Sequence, residues 1–299
     1  MRDHQEDAVV SDFPLGSDFG VAVLADGMGG HAAGDVASKI VMTEVYSELK
    51  FQSAAPEVLA ANMVSVLHGA AESANACLRA HVQENPEAAG MGATLVAVVL
   101  NGSRMHWISV GDSPLYLFRN GQLRQLNEDH SMAPQIDFMV NSGLMDSEIG
   151  RDHPDRNCLT SVLAGDEIVR IDCPLDPFVL QNGDIVLVSS DGLQFLEHDE
   201  IAQTLGTLKD KPATDIASRL LAALEELADP DQDNVSMAVI KVALDETTSG
   251  RVATRPLGRR SAVSDMPQRL HLSEVSVRPR RQQGRLTDSR IYKAADGQS

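Results

Sequence analysis

Cysteine is scarce in this chain of 299 residues, and its scarcity excludes two kinds of site. Cys77, Cys158 and Cys173 are odd in number and widely spaced, so they indicate neither a disulfide framework nor a cysteine-rich metal knuckle. None of the three has neighbours typical of a catalytic nucleophile. We therefore expect a reducing, cytoplasmic location and no covalent catalysis by a thiol.

Long apolar runs and positive charge are also in short supply. No run approaches the roughly 20 apolar residues of a membrane span, and the first residues are acidic and polar rather than a signal peptide. The chain has 25 Lys and Arg against 43 Asp and Glu, a net charge of −18. The sequence thus predicts no membrane insertion, and the charge argues against binding nucleic acid through the main surface.

The charge is unevenly distributed along the chain. Residues 244–299 contain eleven Lys and Arg against six Asp and Glu, and they have Pro, Gly, Ser and Arg without a core-facing period. We therefore predict a domain over residues 1–243 and a basic, disordered tail over residues 244–299. The alternative for the tail is an arm that binds an acidic partner, or the acidic face of its own domain.

Turn residues and periodicity predict an α+β fold. Three Asn-Gly dipeptides indicate tight turns between antiparallel strands, at Asn101-Gly102, Asn120-Gly121 and Asn182-Gly183. The first two make residues 92–126 a meander of four short strands, and the third joins a hairpin over 178–190. Apolar residues at helical spacing predict helices over 34–49, 55–83 and 213–228. Hairpin-paired strands with a few long helices favour a layered α+β arrangement.

Acidic residues recur where apolar runs begin or end. The run over 21–25 ends on Asp26, which glycine follows at once, and a paired Glu6-Asp7 lies near the start. The same position is taken by three further carboxylates, Asp112, Asp191 and Asp233. Clustered together, these groups would repel one another unless a cation lay between them. The sequence therefore predicts the site of a hydrolase that uses a hard metal ion.

Seven segments, in order, resemble the metal-dependent Ser/Thr protein phosphatases of type 2C, in their compact bacterial branch. They span residues 2–242 and read RDHQED, ADGMGGHAAGDVAS, GMGATLVAVV, SVGDSPLYLFRNGQLRQLNEDHS, HPDRNCLTSVLAGD, GDIVLVSSDGL and QDNVSMAVI. The resemblance implies a four-layer αββα sandwich of two antiparallel sheets flanked by helices. It also implies two Mg²⁺ or Mn²⁺ ions in a cleft at one sheet edge, with a weaker third.

The resemblance assigns the central metal ligands. Asp26 would bridge the two metals, and the carbonyl of Gly27 would complete the coordination of one of them. Asp191 and Asp233 would hold the metal that, with Asp26, binds the attacking water. The reaction implied is direct hydrolysis of phosphoserine and phosphothreonine, without a phosphoenzyme.

Further roles implied by the resemblance fall on the outer residues of the site. Glu6 and Asp7 would belong to the acidic shell, and Asp112 would hold the third metal together with Asp191. Arg2 would clamp the phosphate, since a guanidinium grips two oxygens in fork geometry. Met28 stands where some family members carry a histidine as a candidate general acid, so metal-bound water or His31 would have to protonate the leaving alkoxide.

The resemblance also bears on the N-terminus and on one long loop. Relatives have ten or more residues before the arginine, forming an edge strand, whereas Met1 directly precedes Arg2 here. This predicts that Arg2 and Glu6 are poorly anchored. Residues 129–157 match the mobile flap beside the cleft of bacterial relatives, for which we expect a role in substrate access.

Three functions are compatible with these features. The first is an active, monomeric phosphatase of phosphoproteins that reverses the action of a cognate bacterial Ser/Thr kinase. The second is a catalytically weak regulator that binds phosphoproteins or a kinase, which only the short N-terminus supports. The third is another two-metal hydrolase such as a nuclease, whose substrate the acidic domain would repel.

Overall fold

Two antiparallel β-sheets form the centre of the protein. We describe a computed structural model over residues 5–14, 17–29, 32–244 and 270–279. The strands are β1 (Asp7–Asp12), β2 (Phe19–Met28), β3 (Gly92–Ala93), β4 (Leu95–Asn101), β5 (Arg104–Val110), β6 (Leu115–Arg119), β7 (Gln122–Gln125), β8 (Phe178–Val179), β9 (Ile185–Ser189), β10 (Ser236–Leu244) and β11 (Leu270–Pro279). The first sheet has the order β1-β2-β4-β5-β8, with β3 also beside β2, and the second has the order β11-β10-β9-β6-β7.

The helices are α1 (Ala32–Gln52), α2 (Pro56–Glu84), α3 (Ala133–Asn141), α4 (Ser147–Arg151), α5 (His198–Leu208) and α6 (Ala213–Leu227), with short 3₁₀ helices at Pro86–Ala88 and Asp191–Phe195. The long helices α1, α2, α5 and α6 cover the outer faces of the two sheets, whereas α3 and α4 lie in the flap. One apolar core joins α1 and α2 to the first sheet, a second joins α5 and α6 to the second sheet, and a third lies between the sheets. The predicted four-layer αββα sandwich is confirmed.

Strand β2 shows why the sequence forms a buried layer. Val21 and Val23 pack in the core shared with the helices, whereas Ala22 and Leu24 pack in the core between the sheets. Side chains alternate between the two faces of a strand, so a strand with both faces covered must be apolar throughout. The apolar run before Asp26 is uninterrupted because both faces of β2 are buried.

The predicted meander over residues 92–126 is wrong in its pairing, although its four strands exist. β4 pairs with β5 and β6 pairs with β7, but the two pairs belong to different sheets. The chain crosses between sheets at residues 111–114, where Gly111 has a φ of 104°. The predicted hairpin over 178–190 is wrong for the same reason, since β8 pairs with β5 while β9 pairs with β6 and β10. An Asn-Gly turn fixes a reversal of the chain, not the sheet that each arm joins.

The chain beyond residue 243 also differs from prediction in one segment. Residues 270–279, predicted to be disordered, form β11, which pairs antiparallel with β10. Their sequence, LHLSEVSVRP, alternates apolar and polar residues, a pattern that suits a strand at the edge of a sheet. Surrounding charge and Pro-Gly punctuation hid this short pattern. Residues 245–269 and 280–299 lie outside the described residues.

The three long predicted helices are present with small changes at their ends, as α1, α2 and α6. Inside α2, Asn62 departs from helical geometry with a φ of −123°, which marks a kink. Among the helices of the described ranges, none is long and apolar enough to cross a membrane.

Candidate active site

Five aspartates meet at one end of the sandwich, as the sequence predicted. Antiparallel pairing is responsible, because it brings the start of one strand beside the end of its neighbour. Asp7 at the start of β1 lies directly opposite Asp26 near the end of β2. The loops that follow β5 and β9 and the segment before β10 bring in the other three, Asp112, Asp191 and Asp233.

Asp26 lies at the electrostatic centre of this cluster. Burial raises the pKa of its carboxyl well above the usual value, and the negative charges of Asp7, Asp191, Asp233 and Asp112 raise it further. Four neighbouring carboxylates thus act on one buried group, which makes its charged form costly. A bound cation would remove this cost by favouring ionised carboxylates.

The flanking aspartates respond to the same surroundings. Burial raises the pKa of Asp7 to about 7, although a hydrogen bond from the Ser190 hydroxyl at 2.8 Å favours its charged form. Burial also raises the pKa of Asp112 to about 7, with the charge of Asp191 as the next cause. Such carboxyls, ionised only with difficulty, indicate a site built to hold positive charge.

The donor set fits Mg²⁺ or Mn²⁺, which prefer oxygen ligands. Among the described residues, no group of three or more Asp, Glu, His or Cys side chains is arranged closely enough to coordinate a metal ion. Asp7 and Asp26 face each other across the pair of β1 and β2, and the charge of Asp7 raises the pKa of Asp26. A metal would favour the ionised form of both carboxyls, and rotation of the short aspartate side chains would bring their oxygens to it.

Glycine is needed where β2 reaches the site. A Cβ on Gly27 would lie 2.0 Å from the carbonyl oxygen of Gly34 in α1 and 2.7 Å from that of Glu6. The amide of Gly27 donates to the Glu6 carbonyl at 3.1 Å. Three backbone segments therefore meet with no room for a side chain, which fixes the residue that follows Asp26.

The prediction that Glu6 is poorly anchored is wrong. Glu6 is buried, and its amide donates to the side-chain oxygen of Asn234 at 2.9 Å. Beside it, Gln5 donates to the Ser236 hydroxyl at 3.0 Å. The anchor is thus the segment leading into β10, far away in sequence, which no local pattern reveals.

The other predicted site residues are Glu6, Arg2 and His31. The carboxyl of Glu6 lies against Gly34 at the start of α1. Its clear contribution is the backbone contact with Gly27. Arg2 and His31 lie outside the described residues.

Sequence reasoning missed the polar residues that hold the aspartates in place. Thr94 accepts a hydrogen bond from the amide of Asp26 at 3.0 Å, and its own amide donates to the Asp26 carbonyl at 2.8 Å. The Thr94 hydroxyl also pairs with that of Ser113 at 2.8 Å, so it links the Asp26 strand to the loop that carries Asp112. The available signal was a hydroxyl residue beside glycine or aspartate in the apolar segments GATLV and GDSPL.

An open cavity of about 650 Å³ adjoins the cluster at Asp112 and Asp191, between the flap and α5. Arg156 of the flap lines it, and two nitrogens of its guanidinium donate to Asp137 at 2.7 and 3.1 Å. Two of the five aspartates, Asp112 and Asp191, therefore line a cavity that is open to solvent.

Fold and site together define a four-layer αββα protein with five clustered aspartates beside a cleft at one end. A model of the family described as protein phosphatase 2C matches residues 3–232, and the chain belongs to this family. The resemblance seen in the sequence is thereby confirmed.

Curated relatives come from several bacteria. The serine/threonine protein phosphatase PstP of Mycobacterium tuberculosis is 32% identical over 242 residues, which cover 81% of this chain but 43% of the relative. The chain thus spans less than half of that protein. The serine/threonine phosphatase stp of Listeria monocytogenes is 33% identical over 195 residues, which cover 64% of this chain and 75% of the relative.

A solved structure of the Mycobacterium tuberculosis phosphatase PstP/Ppp is similar with a TM-score of 0.65 at 29% identity, over 80% of this chain and 92% of that one. Another, the PstP catalytic domain in complex with two manganese ions, has a TM-score of 0.63 at 29% identity, with 80% and 92% covered.

Proposed function

We propose that this chain hydrolyses phosphoserine and phosphothreonine in proteins as a metal-dependent phosphatase. The observation that carries the proposal is the group of five aspartates, buried deeply enough to raise the pKa of Asp7, Asp26 and Asp112, beside an open cleft. The two manganese ions in the similar PstP catalytic domain support Mn²⁺ or Mg²⁺ as the cofactor.

The proposed ligands are those that membership of the family assigns to these positions. Asp26 would hold both ions, the Gly27 carbonyl would complete the coordination of one, and Asp191 and Asp233 would hold, with Asp26, the ion that binds the attacking water. Bound there, the ions would lower the pKa of a water and offset charge on the phosphate oxygens.

The outer residues have supporting roles in the proposal. Asp112, with Asp191, would hold a third and weaker ion. Asp7, which lies opposite Asp26 on the neighbouring strand, and Glu6 would belong to the acidic shell around the metals. For Arg2 we propose the phosphate clamp, and for His31 the protonation of the leaving alkoxide.

The physiological setting is also a proposal. Phosphoproteins made by a cognate Ser/Thr kinase are the substrates, and the enzyme acts in signal transduction as a monomer. All three cysteines are free thiols, which agrees with a reducing cytoplasm. The regulator alternative loses its one support, because Glu6 is well anchored.

Metal-dependent turnover of a phosphothreonine peptide tests the function. Wild-type protein should release phosphate with Mn²⁺ and stop when the metal is chelated, whereas Asp191→Asn should be inactive at every Mn²⁺ concentration. Folded wild-type protein that binds the phosphopeptide without turnover would favour the regulator. Cleavage of DNA or RNA in preference to the peptide would favour a nuclease.

Asp112→Asn tests the third ion separately. Because Asp112 lines the cavity and is proposed to hold only the third ion, we expect this variant to keep two tightly bound Mn²⁺ ions. Its kcat on p-nitrophenyl phosphate should fall about tenfold, equal to ~1.4 kcal/mol of lost transition-state stabilisation. Calorimetric Mn²⁺ titration combined with kinetics would check this. Unchanged kinetics across the whole metal range would remove the proposed role of Asp112.

A further inference from the structure

His130 is a fully buried polar side chain at the start of the flap, and it is bonded to the loop that carries Asp112. Its amide donates to the carbonyl of Gly111 at 3.1 Å, and its Nδ1 accepts from the amide of Gly111 at 3.2 Å. His130 therefore hydrogen-bonds to both the carbonyl and the amide of Gly111, the residue directly before Asp112.

The same histidine closes the far end of the flap. Its carbonyl accepts from the amide of Thr160 at 2.7 Å and from the Thr160 hydroxyl at 2.8 Å. The next residue, Ser131, forms a β-bridge with Leu159. Entry and exit of the flap therefore meet at His130, which contacts Gly111 in the same place.

Gly111 packs closely against Thr94, which lies nearer to the centre of the site. It has a φ of 104°, and a Cβ there would lie 2.6 Å from the Thr94 side chain. Thr94 in turn bonds to Asp26 and to Ser113, on the other side of Asp112. Buried hydrogen bonds and close packing thus run from the flap through His130, Gly111 and Thr94 to Asp26. Each buried link is costly to leave unsatisfied.

We propose that His130 is a positioning residue that locks the flap to the Asp112 loop, and so holds the Asp112 carboxylate in the cleft. The inference rests on the proposed role of Asp112 as a metal ligand. Because Nδ1 accepts the hydrogen bond from Gly111, the imidazole proton lies on Nε2. The neutral ring is therefore the form that makes this hydrogen bond. An apolar residue of equal size would fill the space, but it would leave the amide of Gly111 without its acceptor.

Two isosteric amides separate the lock from simple packing. The side-chain oxygen of Asn can take the place of Nδ1, whereas the amide of Gln reaches the position of Nε2. His130→Ala and His130→Gln should therefore lose about tenfold in kcat on p-nitrophenyl phosphate and in affinity for the third Mn²⁺ ion, the lower end of the effect of removing a partner that orients a ligand. His130→Asn should stay within about twofold of wild type, because the acceptor is retained.

His153→Ala is the matched control. Its Nδ1 also accepts a backbone amide, that of Asp155 at 3.2 Å, but this bond stays within the flap. Kinetics and Mn²⁺ affinity should not change in this variant. In the Asp112→Asn background, His130→Ala should cost less than about twofold, since residues that act as one unit are not additive.

Hydrogen exchange on the metal-free protein gives a readout independent of activity. Amides over residues 107–115 and 156–163 should exchange faster in His130→Ala and His130→Gln than in wild type or His130→Asn, while α6 is unchanged. Should the Ala variant fail to fold, the Asn and Gln pair decides. Equal behaviour of Asn and Gln, or a full tenfold loss retained in the Asp112→Asn background, would overturn the proposal. Inactive wild-type protein would instead contradict the proposed function, and the exchange experiment would still test the lock.

Discussion

Asp26→Asn is expected to abolish turnover and, at the same time, to stabilise the metal-free protein. Asp26 is the group on which the charges of four other aspartates act, and burial already disfavours its ionised form. An amide of the same shape removes that repulsion, so the free energy of unfolding without metal should rise. The amide cannot supply the bridging negative charge, so metal-dependent chemistry should be lost.

The two effects are measured separately. Turnover at saturating Mn²⁺ should fall at least about a hundredfold, or ~2.7 kcal/mol of transition-state stabilisation. The metal-free Tm should rise by about 2–4 °C for each kcal/mol of relieved repulsion. Retention of a tenth of wild-type turnover, or a lower metal-free Tm, would contradict the assignment of Asp26.

Asp12→Asn on β1 is the control for this experiment. Asp12 accepts hydrogen bonds from Lys50 and Tyr46, and the hydrogen bond from Lys50 is the main cause that lowers its pKa. Here the carboxylate has favourable partners, so the same chemical change should lower the Tm slightly and leave turnover intact. Opposite signs of the Tm change at the two positions would show that relief of charge crowding, rather than the loss of an acid, stabilises the Asp26→Asn variant.

The sequence allowed the five aspartates to be predicted because their signal is local. Asp26, Asp112 and Asp191 each follow a run of apolar residues. A carboxylate beside a buried strand is costly unless it has a function, so these positions are conspicuous in the sequence. Strand and helix identities were accessible in the same way, since β2 is an unbroken apolar run that ends at a glycine-rich segment and α6 has apolar residues at a period of about 3.6. The pattern of layers came from the family resemblance rather than from periodicity.

The rest depends on contacts between distant residues. Nothing local at Gly111 indicates that the chain changes sheets there, yet this crossing places Asp112 in the cleft. The bond from Glu6 to Asn234 spans most of the domain, and the Thr94–Ser113 pair joins two sheets. Such contacts follow from the three-dimensional pairing of strands, which a turn dipeptide or a helical period does not encode.

Gly27→Ala is expected to damage both the fold and the site, although it adds a single methyl group. The added Cβ would meet the carbonyl oxygen of Gly34 at 2.0 Å and that of Glu6 at 2.7 Å. Both obstacles are backbone atoms, which cannot rotate aside as a side chain would. Either α1 moves away from β2 or the strand end shifts with Asp26, so the site loses its geometry in both cases. A loss of about 3 kcal/mol in the free energy of unfolding is expected from such overpacking.

Gly69→Ala provides the same chemical change without the clash. Gly69 is exposed in α2, and a Cβ there would have nothing within 4 Å. Ala in a helix interior should stabilise the protein by about 0.5–1 kcal/mol. Chemical denaturation and Mn²⁺-dependent turnover, measured on both variants, therefore compare one methyl group at two places. Gly27→Ala should lose both stability and turnover, and Gly69→Ala should lose neither. Wild-type stability in Gly27→Ala would mean that the end of β2 does not pack on α1, and the backbone arrangement that holds Asp26 would have to be different.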